Sequence, residues 1–361
     1  MSYHSREIAM QASQHPLPFA RRPSIRKTSL LAGSAAVFAA VFVAVSALGG
    51  AAARAQAPEK ITVKLDFTPW GIHAGLQLAK NKGWFAKEGL DVTVEDGTGT
   101  LPGIQLVGAG KTEVAAVQLG PMAVARENGL PVISIAGYAR RSDLAIMVDA
   151  NTGAKNVKEL AGKKIVSFTG SPWVPFIKPF TRAASLSDEQ FAVTMVAPPA
   201  MVSTYASGNA DAFLSLAPFG VPLVAKSRPA RALLALDYGV VFPSYGLVTN
   251  EETLAKRPAV LRKLVQINTR AWEYIYQNAA NTEEGVKAII AERPQAKLDP
   301  DLLRGQIVAY REFFDTPNTK GKRFGWQSDA DWIAAIKSME GAGVIKPGRK
   351  PTDYYTNQFV D

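Results

Sequence analysis

The stretch "LDFTPWGIHAGLQLAKNKGWFAKEGLDVTV", residues 65–94, decides how the chain is organised. Apolar residues alternate from Ile61 to Phe67, which predicts a β-strand that enters the stretch. The apolar residues of "HAGLQLAKNKGWF" then recur near helical spacing, and Gly83 ends that helix. A second alternating strand, "LDVTVED", follows. A strand, a helix and a strand in this order form the unit from which parallel sheets are built.

Outward from this stretch, strands and helices keep alternating. "EVAAVQL" and "PVISIAGY" continue the first series of strands, and "LAIMVDA", "KKIVSFTG", "FAVTMVA" and "ADAFLSL" form a second series. "YGLVTN" predicts a strand that leaves the second series, and the chain after it has helical periodicity almost to its end. We therefore predict an α/β protein of two lobes, each a mostly parallel sheet flanked by helices. Lobe 1 would span 58–147 and return, mainly helical, at 246–361, with lobe 2 inserted at 148–245.

The leading segment has the pattern of a secretory signal peptide. Four basic residues between Arg21 and Lys27 precede residues 28–53, which carry no charge, and an A-x-A cleavage pattern ends at Ala57. We predict cleavage after Ala57 and a periplasmic mature chain, exported by the general or the twin-arginine route. The alternative is an uncleaved helix at residues 30–48 that tethers a sensor domain to the membrane.

Composition excludes several classes of function. The 361 residues include no cysteine, so disulfides, thiolate metal sites and cysteine nucleophiles are excluded. The formal net charge is +10, but six of the 41 basic residues and one of the 31 acidic residues lie in residues 1–57, which leaves only about +5 for the rest. Without a clustered basic face, nucleic-acid binding is not expected.

Ligands of open α/β sheets bind beyond the carboxyl ends of the strands. The residues at those ends here are mainly glycine, hydroxyl, amide and aromatic residues, which suit a small-molecule cleft and offer no catalytic constellation, metal site or cofactor site. The expected ligand-binding residues are Asp66, Trp70, His73, Thr98, Gly99, Thr100, Gln118, Leu119, Thr169, Ser171, Trp173 and Phe219.

Four of these residues have a specific expected role and a plainer alternative. Trp70 and Trp173 would stack on a flat ligand, one from each lobe, or else fill the core. Asp66 would accept a hydrogen bond from an amino group, or else hold its own loop. His73, the only histidine after residue 57, would contact the ligand or bond to a loop carbonyl.

The opening stretch resembles the first segment of the periplasmic solute-binding proteins of ABC importers, in the thiamine-precursor (pyrimidine) and nitrate/taurine/sulfonate-binding family. "IAGYARRSDLAIMV", "LAGKKI", "SGNADAFL" and "LRKLVQINTRAWEYI" extend the resemblance, in order, along residues 60–361. The resemblance implies a type II clamshell that captures a small molecule between its lobes and then docks on a membrane permease. We expect the binding protein itself to be a monomer.

The resemblance leaves two ligand classes open. A planar heterocycle such as a thiamine pyrimidine precursor would be stacked by tryptophan, although this chain has Phe67 where those proteins often have tryptophan and places Trp70 three residues later. Nitrate, taurine or an alkanesulfonate would instead be bound by Arg140 or Arg141 and by helix N-termini. We favour the heterocycle.

The family that the chain resembles also includes a pyrimidine synthase of thiamine biosynthesis. An enzyme of that kind is the alternative to a binding protein. That class carries a cysteine-rich iron motif, and this chain has no cysteine. We therefore expect a binding protein and not an enzyme.

Overall fold

The computed structural model describes residues 57–360, which form two five-stranded sheets surrounded by helices. The predicted signal peptide lies outside the described residues, apart from its last residue, Ala57. The strands are β1 (Glu59–Leu65), β2 (Leu90–Glu95), β3 (Val114–Gln118), β4 (Val132–Ala139), β5 (Leu144–Asp149), β6 (Ile165–Ser167), β7 (Val193–Met195), β8 (Ala212–Leu216), β9 (Ala230–Leu234) and β10 (Tyr245–Asn250).

The helices follow the apolar periodicity of the sequence and are longest in the C-terminal third. Several of them begin on a side-chain cap: Asn250, Asn278, Asp299 and Ser328 each accept a hydrogen bond from a backbone N–H of the first turn. The helices are α1 (Ala74–Asn81), α2 (Trp84–Lys87), α3 (Thr100–Gly108), α4 (Leu119–Glu127), α5 (Ile177–Ala183), α6 (Pro198–Ala206), α7 (Ala217–Val224), α8 (Glu251–Lys256), α9 (Pro258–Ile275), α10 (Ala279–Ala291), α11 (Pro300–Phe314) and α12 (Asp329–Gly341).

The first sheet has the strand order β2-β1-β3-β10-β4 and defines lobe 1. β1 pairs in parallel with β2 and β3, whereas β10 runs antiparallel to β3 and β4. Every residue of β3, β4 and β10 is buried, and only β2, at the edge, alternates between buried and exposed residues. Because β1 and β3 are paired in parallel, their carboxyl ends lie side by side.

The second sheet has the order β7-β6-β8-β5-β9 and defines lobe 2. β6 pairs in parallel with β7 and β8, and β5 runs antiparallel to β8 and β9. Each sheet is thus mixed, with four strands in one direction and one reversed strand. The predicted two-lobed α/β architecture is confirmed.

Two crossings join the lobes. The first lies between β4 and β5 and the second between β9 and β10, because in each case the two consecutive strands belong to different sheets. β5 pairs within the second sheet from Leu144 onward, ahead of the predicted boundary after residue 147. Helix α11, which follows lobe 2 in sequence, packs against the 3-10 turn Gly71–His73 of lobe 1 and against α7 of lobe 2.

Two helix starts shape the loops near the strand ends. Gly99 precedes α3 as its cap with a φ of 144°, a conformation that glycine adopts without steric cost. α5 begins at Ile177, after a 3-10 turn (Val174–Phe176) that contains Pro175. No helix among residues 57–360 combines the length and apolar character needed to cross a bilayer.

Candidate functional site

A cavity of about 370 Å³ lies between the two lobes, and its volume suits a small organic molecule. The loops at the carboxyl ends of β1 and β6 form two of its walls, as expected for an open α/β sheet. Lobe 1 supplies residues 66–70 with Gly99 and Thr100; lobe 2 supplies Phe168, Ser171, Pro172, Pro198, Pro199, Met201, Val202, Leu214, Ser215, Leu216, Phe219 and Leu223; the C-terminal helical part supplies Leu298, Asp299, Leu302, Leu303 and Gln306.

The described residues that line this cavity include two carboxylates and no lysine, arginine or histidine. One carboxylate, Asp299, already has partners: Oδ2 accepts from Lys226 Nζ at 2.7 Å, and Oδ1 caps α11. The other, Asp66, is buried at the end of β1. Most other lining side chains are apolar, so Asp66 is the principal charged group that a ligand would meet.

Asp66 is held by two side chains of its own loop. Trp70 Nε1 donates to Asp66 Oδ1 at 3.2 Å, and His73 Nε2 lies 3.0 Å from the same oxygen. The backbone N–H of Trp70 donates to His73 Nδ1 at 3.2 Å, so Nδ1 is an acceptor and a neutral ring carries its proton on Nε2. His73 Nε2–H therefore donates to Asp66. Both bonds use Oδ1, and neither uses Oδ2.

Tyr245 completes this cluster behind the cavity wall. Its hydroxyl donates to the Ala116 carbonyl at 2.6 Å and lies 2.9 Å from His73 Nε2. Burial and the neighbouring Asp66 raise the pKa of Tyr245 well above its usual value, so the phenol stays neutral. His73 is completely buried and does not line the cavity. It supports Asp66 from behind the cavity wall.

Trp70 joins the two lobes through its ring. Its centroid lies 4.8 Å from that of Phe219 in lobe 2, with the rings at 80°, and 5.3 Å from that of Tyr310 on α11. The indole is buried but borders the cavity. The edge-to-face contact with Phe219 and the tilted contact with Tyr310 hold the indole in a fixed orientation at the cavity wall.

The structure brings six of the predicted site residues to the cavity and places six elsewhere. The residues at the cavity are Asp66, Trp70, Gly99, Thr100, Ser171 and Phe219. The residues that do not line it are His73, Thr98, Gln118, Leu119, Thr169 and Trp173.

Trp173 is placed in the core of lobe 2, not opposite Trp70. It is completely buried, and its Nε1 donates to the Ser215 carbonyl at 2.8 Å. Its ring meets Phe180 edge-to-face at 5.3 Å. An indole whose N–H and ring are both used internally has no face left for a ligand, so the aromatic side chains that lobe 2 offers to the cavity are Phe168 and Phe219.

Gln118 belongs to a buried polar cluster at the crossings between the lobes. Its Nε2 donates to Asp143 Oδ2 at 3.4 Å, and Tyr310 donates to that same oxygen at 2.7 Å. Ser244 Oγ lies within hydrogen-bond reach of both Asp143 Oδ1 and Gln118 Oε1, at 2.8 Å from the latter, and its single hydrogen serves these two acceptors. Burial raises the pKa of Asp143 to about 6, although the hydrogen bonds with Ser244, Tyr310 and Gln118 oppose the shift. Leu119, the next residue, is buried in the core.

The two arginines considered for an anionic ligand lie away from the cavity. Arg140 is buried, donates to the carbonyls of Phe314 and Arg323, and pairs with Asp315. Arg141 lies over the ring of Phe313. The donors of Arg140 are thus used to fix the polypeptide that follows α11.

Sequence reasoning missed the contribution of the C-terminal helical part. Gln306 reaches the cavity from α11, and its Oε1 accepts from the Gly71 N–H at 3.0 Å across a separation of 235 residues. No local pattern marks such a contact. Phe67 also lines the cavity and was not predicted, although it lies between the predicted site residues Asp66 and Trp70.

Comparisons with known proteins agree with this architecture. Residues 70–282 match the family described as NMT1/THI5 like. A formylaminopyrimidine-binding protein of Halalkalibacterium halodurans is 26% identical over a 293-residue alignment that covers 79% of this chain and 86% of that protein. A 4-amino-5-hydroxymethyl-2-methylpyrimidine phosphate synthase of Saccharomyces cerevisiae is 25% identical over a 319-residue alignment that covers 84% of this chain and 88% of the yeast protein.

A solved structure extends the comparison to the fold. The periplasmic aliphatic sulphonate binding protein SsuA of Escherichia coli superposes with a TM-score of 0.60, covering 84% of this chain and 92% of the SsuA chain. The two are 13% identical, so this likeness concerns the fold alone.

Proposed function

The chain belongs to the NMT1/THI5-like family, and from this premise we propose that it is the solute-binding component of an ABC importer that captures a planar nitrogen heterocycle between its lobes. The observation that carries the proposal is the charge of the cavity wall. Asp66 is held in place by Trp70 and His73, and no described lining residue is basic. A ring with an amino group would donate to Asp66 and lie against the apolar and aromatic wall.

The name of one relative is consistent with this ligand class. The Halalkalibacterium halodurans protein is called a formylaminopyrimidine-binding protein, and a formylaminopyrimidine is a flat ring that carries N–H donors. A thiamine pyrimidine precursor is therefore the ligand that we test first.

An anionic ligand is the second candidate. The N-terminus of α3, at Gly99 and Thr100, borders the cavity and would offer backbone N–H groups to nitrate, taurine or an alkanesulfonate. Arg140 and Arg141 would not assist, because neither lines the cavity. The carboxylate of Asp66 would repel an anion, so we place this candidate behind the heterocycle.

We propose binding without chemistry, although one group of relatives has the name of a synthase. The sequence has no cysteine for an iron motif of the kind that the resemblance implies for those enzymes. Its only histidine after residue 57, His73, is used to hold Asp66.

We also propose that the chain is exported as a monomer, loses residues 1–57 and docks on a membrane permease. N-terminal sequencing of the exported protein tests the first part. A start at Pro58 is expected, whereas a retained residue 30–48 segment would mean a tethered sensor domain.

A thermal-shift screen of the purified mature chain tests the ligand class. The panel contains thiamine pyrimidines, flavins, aromatic acids, taurine, alkanesulfonates and nitrate. A ligand that binds only the folded state at 100 times its Kd stabilises that state by about 2.7 kcal/mol, which is easily measured as a rise in Tm. A rise with a pyrimidine is expected. A rise only with nitrate or a sulfonate would replace the heterocycle by the anion.

A further inference from the structure

Gln306 is the one amide side chain among the described residues that line the cavity. It projects from α11 onto the loop that carries Asp66 and Trp70, and it is almost completely buried. Its closeness to that loop requires a glycine, because a Cβ at Gly71 would lie 2.5 Å from Gln306 Cβ and 2.8 Å from the backbone nitrogen of Ile307. The position of Gln306 is therefore fixed by backbone packing.

The orientation of the Gln306 amide is fixed as well. The Gly71 N–H can only donate, so the amide atom that faces it at 3.0 Å must be the oxygen. The nitrogen, Nε2, then points away from Gly71. Within residues 57–360 it makes no hydrogen bond, and it belongs to a residue that lines the cavity. Among the described residues this donor has no acceptor, and because Gln306 lines the cavity it is available to a ligand there.

Asp66 offers the complementary group from the same loop. Its Oδ1 is taken by Trp70 and His73, which leaves Oδ2 as the acceptor for a ligand. Gln306 and Asp66 approach Trp70 from two directions, since Asp66 bonds the indole N–H and Gln306 bonds the backbone of the next residue, Gly71. The wall around the indole thus carries one strong acceptor and one donor.

We propose that Gln306 is a specificity-determining residue: its Nε2 donates to a ring nitrogen of the ligand, while Asp66 accepts from an exocyclic amino group. The assignment rests on the proposed function, and it narrows the ligand class to amino-substituted heterocycles with an unprotonated ring nitrogen. Carbocyclic amines, which lack that lone pair, would leave Nε2 without a partner and bind weakly.

The test compares two probes and two variants. The probes are 4-amino-5-hydroxymethyl-2-methylpyrimidine and its analogue in which both ring nitrogens are replaced by CH. Gln306→Glu keeps an oxygen for the Gly71 N–H but removes the donor, and Gln306→Met removes both polar atoms. Gln105→Glu, at an exposed position on α3, controls for the added negative charge.

Isothermal titration calorimetry gives the affinity of each protein for each probe, and circular dichroism with thermal unfolding checks that the variants are folded. We expect the wild type and Gln105→Glu to prefer the pyrimidine by about 10- to 100-fold. Gln306→Glu and Gln306→Met should lose most of that preference. A general loss of structure would weaken both probes equally and would not change their ratio.

Two outcomes overturn the proposal, and they differ from each other. If the wild type prefers the pyrimidine and both Gln306 variants keep that preference, Gln306 is not the donor, and the proposed heterocycle-binding function stands. If the wild type binds neither probe, the assignment of Gln306 and the proposed pyrimidine ligand fail together.

Discussion

Trp70 has two roles at the scale of a single residue. Its Nε1–H donates to Asp66, and its ring meets Phe219 of lobe 2 at 4.8 Å. A ligand that lies against the indole therefore contacts a group already oriented by both lobes. Preorganisation of this kind lowers the entropic cost of binding.

Truncation of Trp70 should weaken ligand binding strongly. Stacking of a flat base on an aromatic side chain contributes about 1–3 kcal/mol, so Trp70→Ala should reduce affinity for a planar ligand by roughly 5- to 150-fold. Trp173→Phe is the matched control, because it removes the hydrogen bond to the Ser215 carbonyl from a ring that does not reach the cavity. It should lower the unfolding free energy by about 1–3 kcal/mol and leave affinity within a few-fold. Calorimetric titration showing equal losses in both variants would contradict this division of roles.

Substitution of the two cavity-lining carboxylates, Asp66 and Asp299, should affect ligand affinity to different extents. Asp66→Asn keeps Oδ1 for Trp70 and His73 but replaces the free acceptor by an N–H donor, which would face the amino group of the ligand. We expect a 10- to 100-fold loss of affinity, about the size of one hydrogen bond to a charged group. Asp299→Asn keeps the cap of α11 and loses only an exposed pair with Lys226, so its affinity should hardly change. Fluorescence titration of both variants decides the point, and a larger effect at Asp299 would move the recognition site to α11.

At the scale of elements, the crossings between the lobes depend on Asp143. This residue lies between β4 and β5, and its carboxylate bonds Ser244, which lies just before β10 in the second crossing. Tyr310 on α11 donates to its other oxygen at 2.7 Å. The groups that face the carboxylate, Gln118 included, are all uncharged, so its negative charge has no neutralising partner among them.

The burial of Asp143 predicts that the unfolding free energy depends on pH through the titration of this residue. The pKa of Asp143 is raised to about 6 in the folded chain, against about 4 when unfolded. Protonation therefore stabilises the native state fully below about pH 4, and this stabilisation is lost as the pH rises through about 6. This difference of about two pKa units corresponds to about 3 kcal/mol of unfolding free energy. The unfolding free energy of the wild type, relative to Asp143→Asn, should fall by about that amount between pH 4 and pH 7.

Urea unfolding of both proteins across this range measures the difference directly. Asp149→Asn is the control, because the backbone N–H of Thr152, Arg228 and the backbone N–H of Asn151 lower the pKa of Asp149. The stability from Asp149 is lost only as the pH falls below about 4, which is outside the measured window. A wild-type curve parallel to that of Asp143→Asn would mean that the carboxylate is not desolvated.

Local elements could be predicted from the sequence, and the walls of the cavity only in part. The strand, loop and helix around Trp70 follow from periodicities within thirty residues, and β10 matches "YGLVTN" residue for residue. Gln306 could not be found this way, because its contact with Gly71 depends on how α11 packs 235 residues later. The position of Trp173 could not be predicted for a related reason. Ser171 and Pro172 border the cavity, but the side chain of the next residue, Trp173, points into the core of lobe 2.

At the scale of the whole molecule, the lobes meet through backbone atoms on one side of the cavity. A Cβ on Gly99 of lobe 1 would lie 2.6 Å from the carbonyl oxygen of Gly170 in lobe 2. A Cβ on Gly170 would lie 2.9 Å from the carbonyl oxygen of Thr98 and 3.2 Å from Gly99 Cα. No side chain separates the two loops, so these glycines set how closely the lobes approach each other.

A methyl group at Gly170 should hold the lobes apart. Gly170 has no positive φ, so Gly170→Ala does not strain its own backbone, and the added Cβ collides only with the opposite lobe. If binding requires closure of the lobes on the ligand, overpacking at this contact should cost about 1–3 kcal/mol in the closed form alone. We expect about a 10-fold faster dissociation of ligand and an unchanged Tm of the ligand-free chain. Gly341→Ala, where an added methyl would meet no atom within 4 Å, is the matched control. Stopped-flow dissociation at the wild-type rate in Gly170→Ala would show that the lobes do not close on this pair of glycines, whereas a lower Tm without ligand would place the strain in the fold of lobe 2.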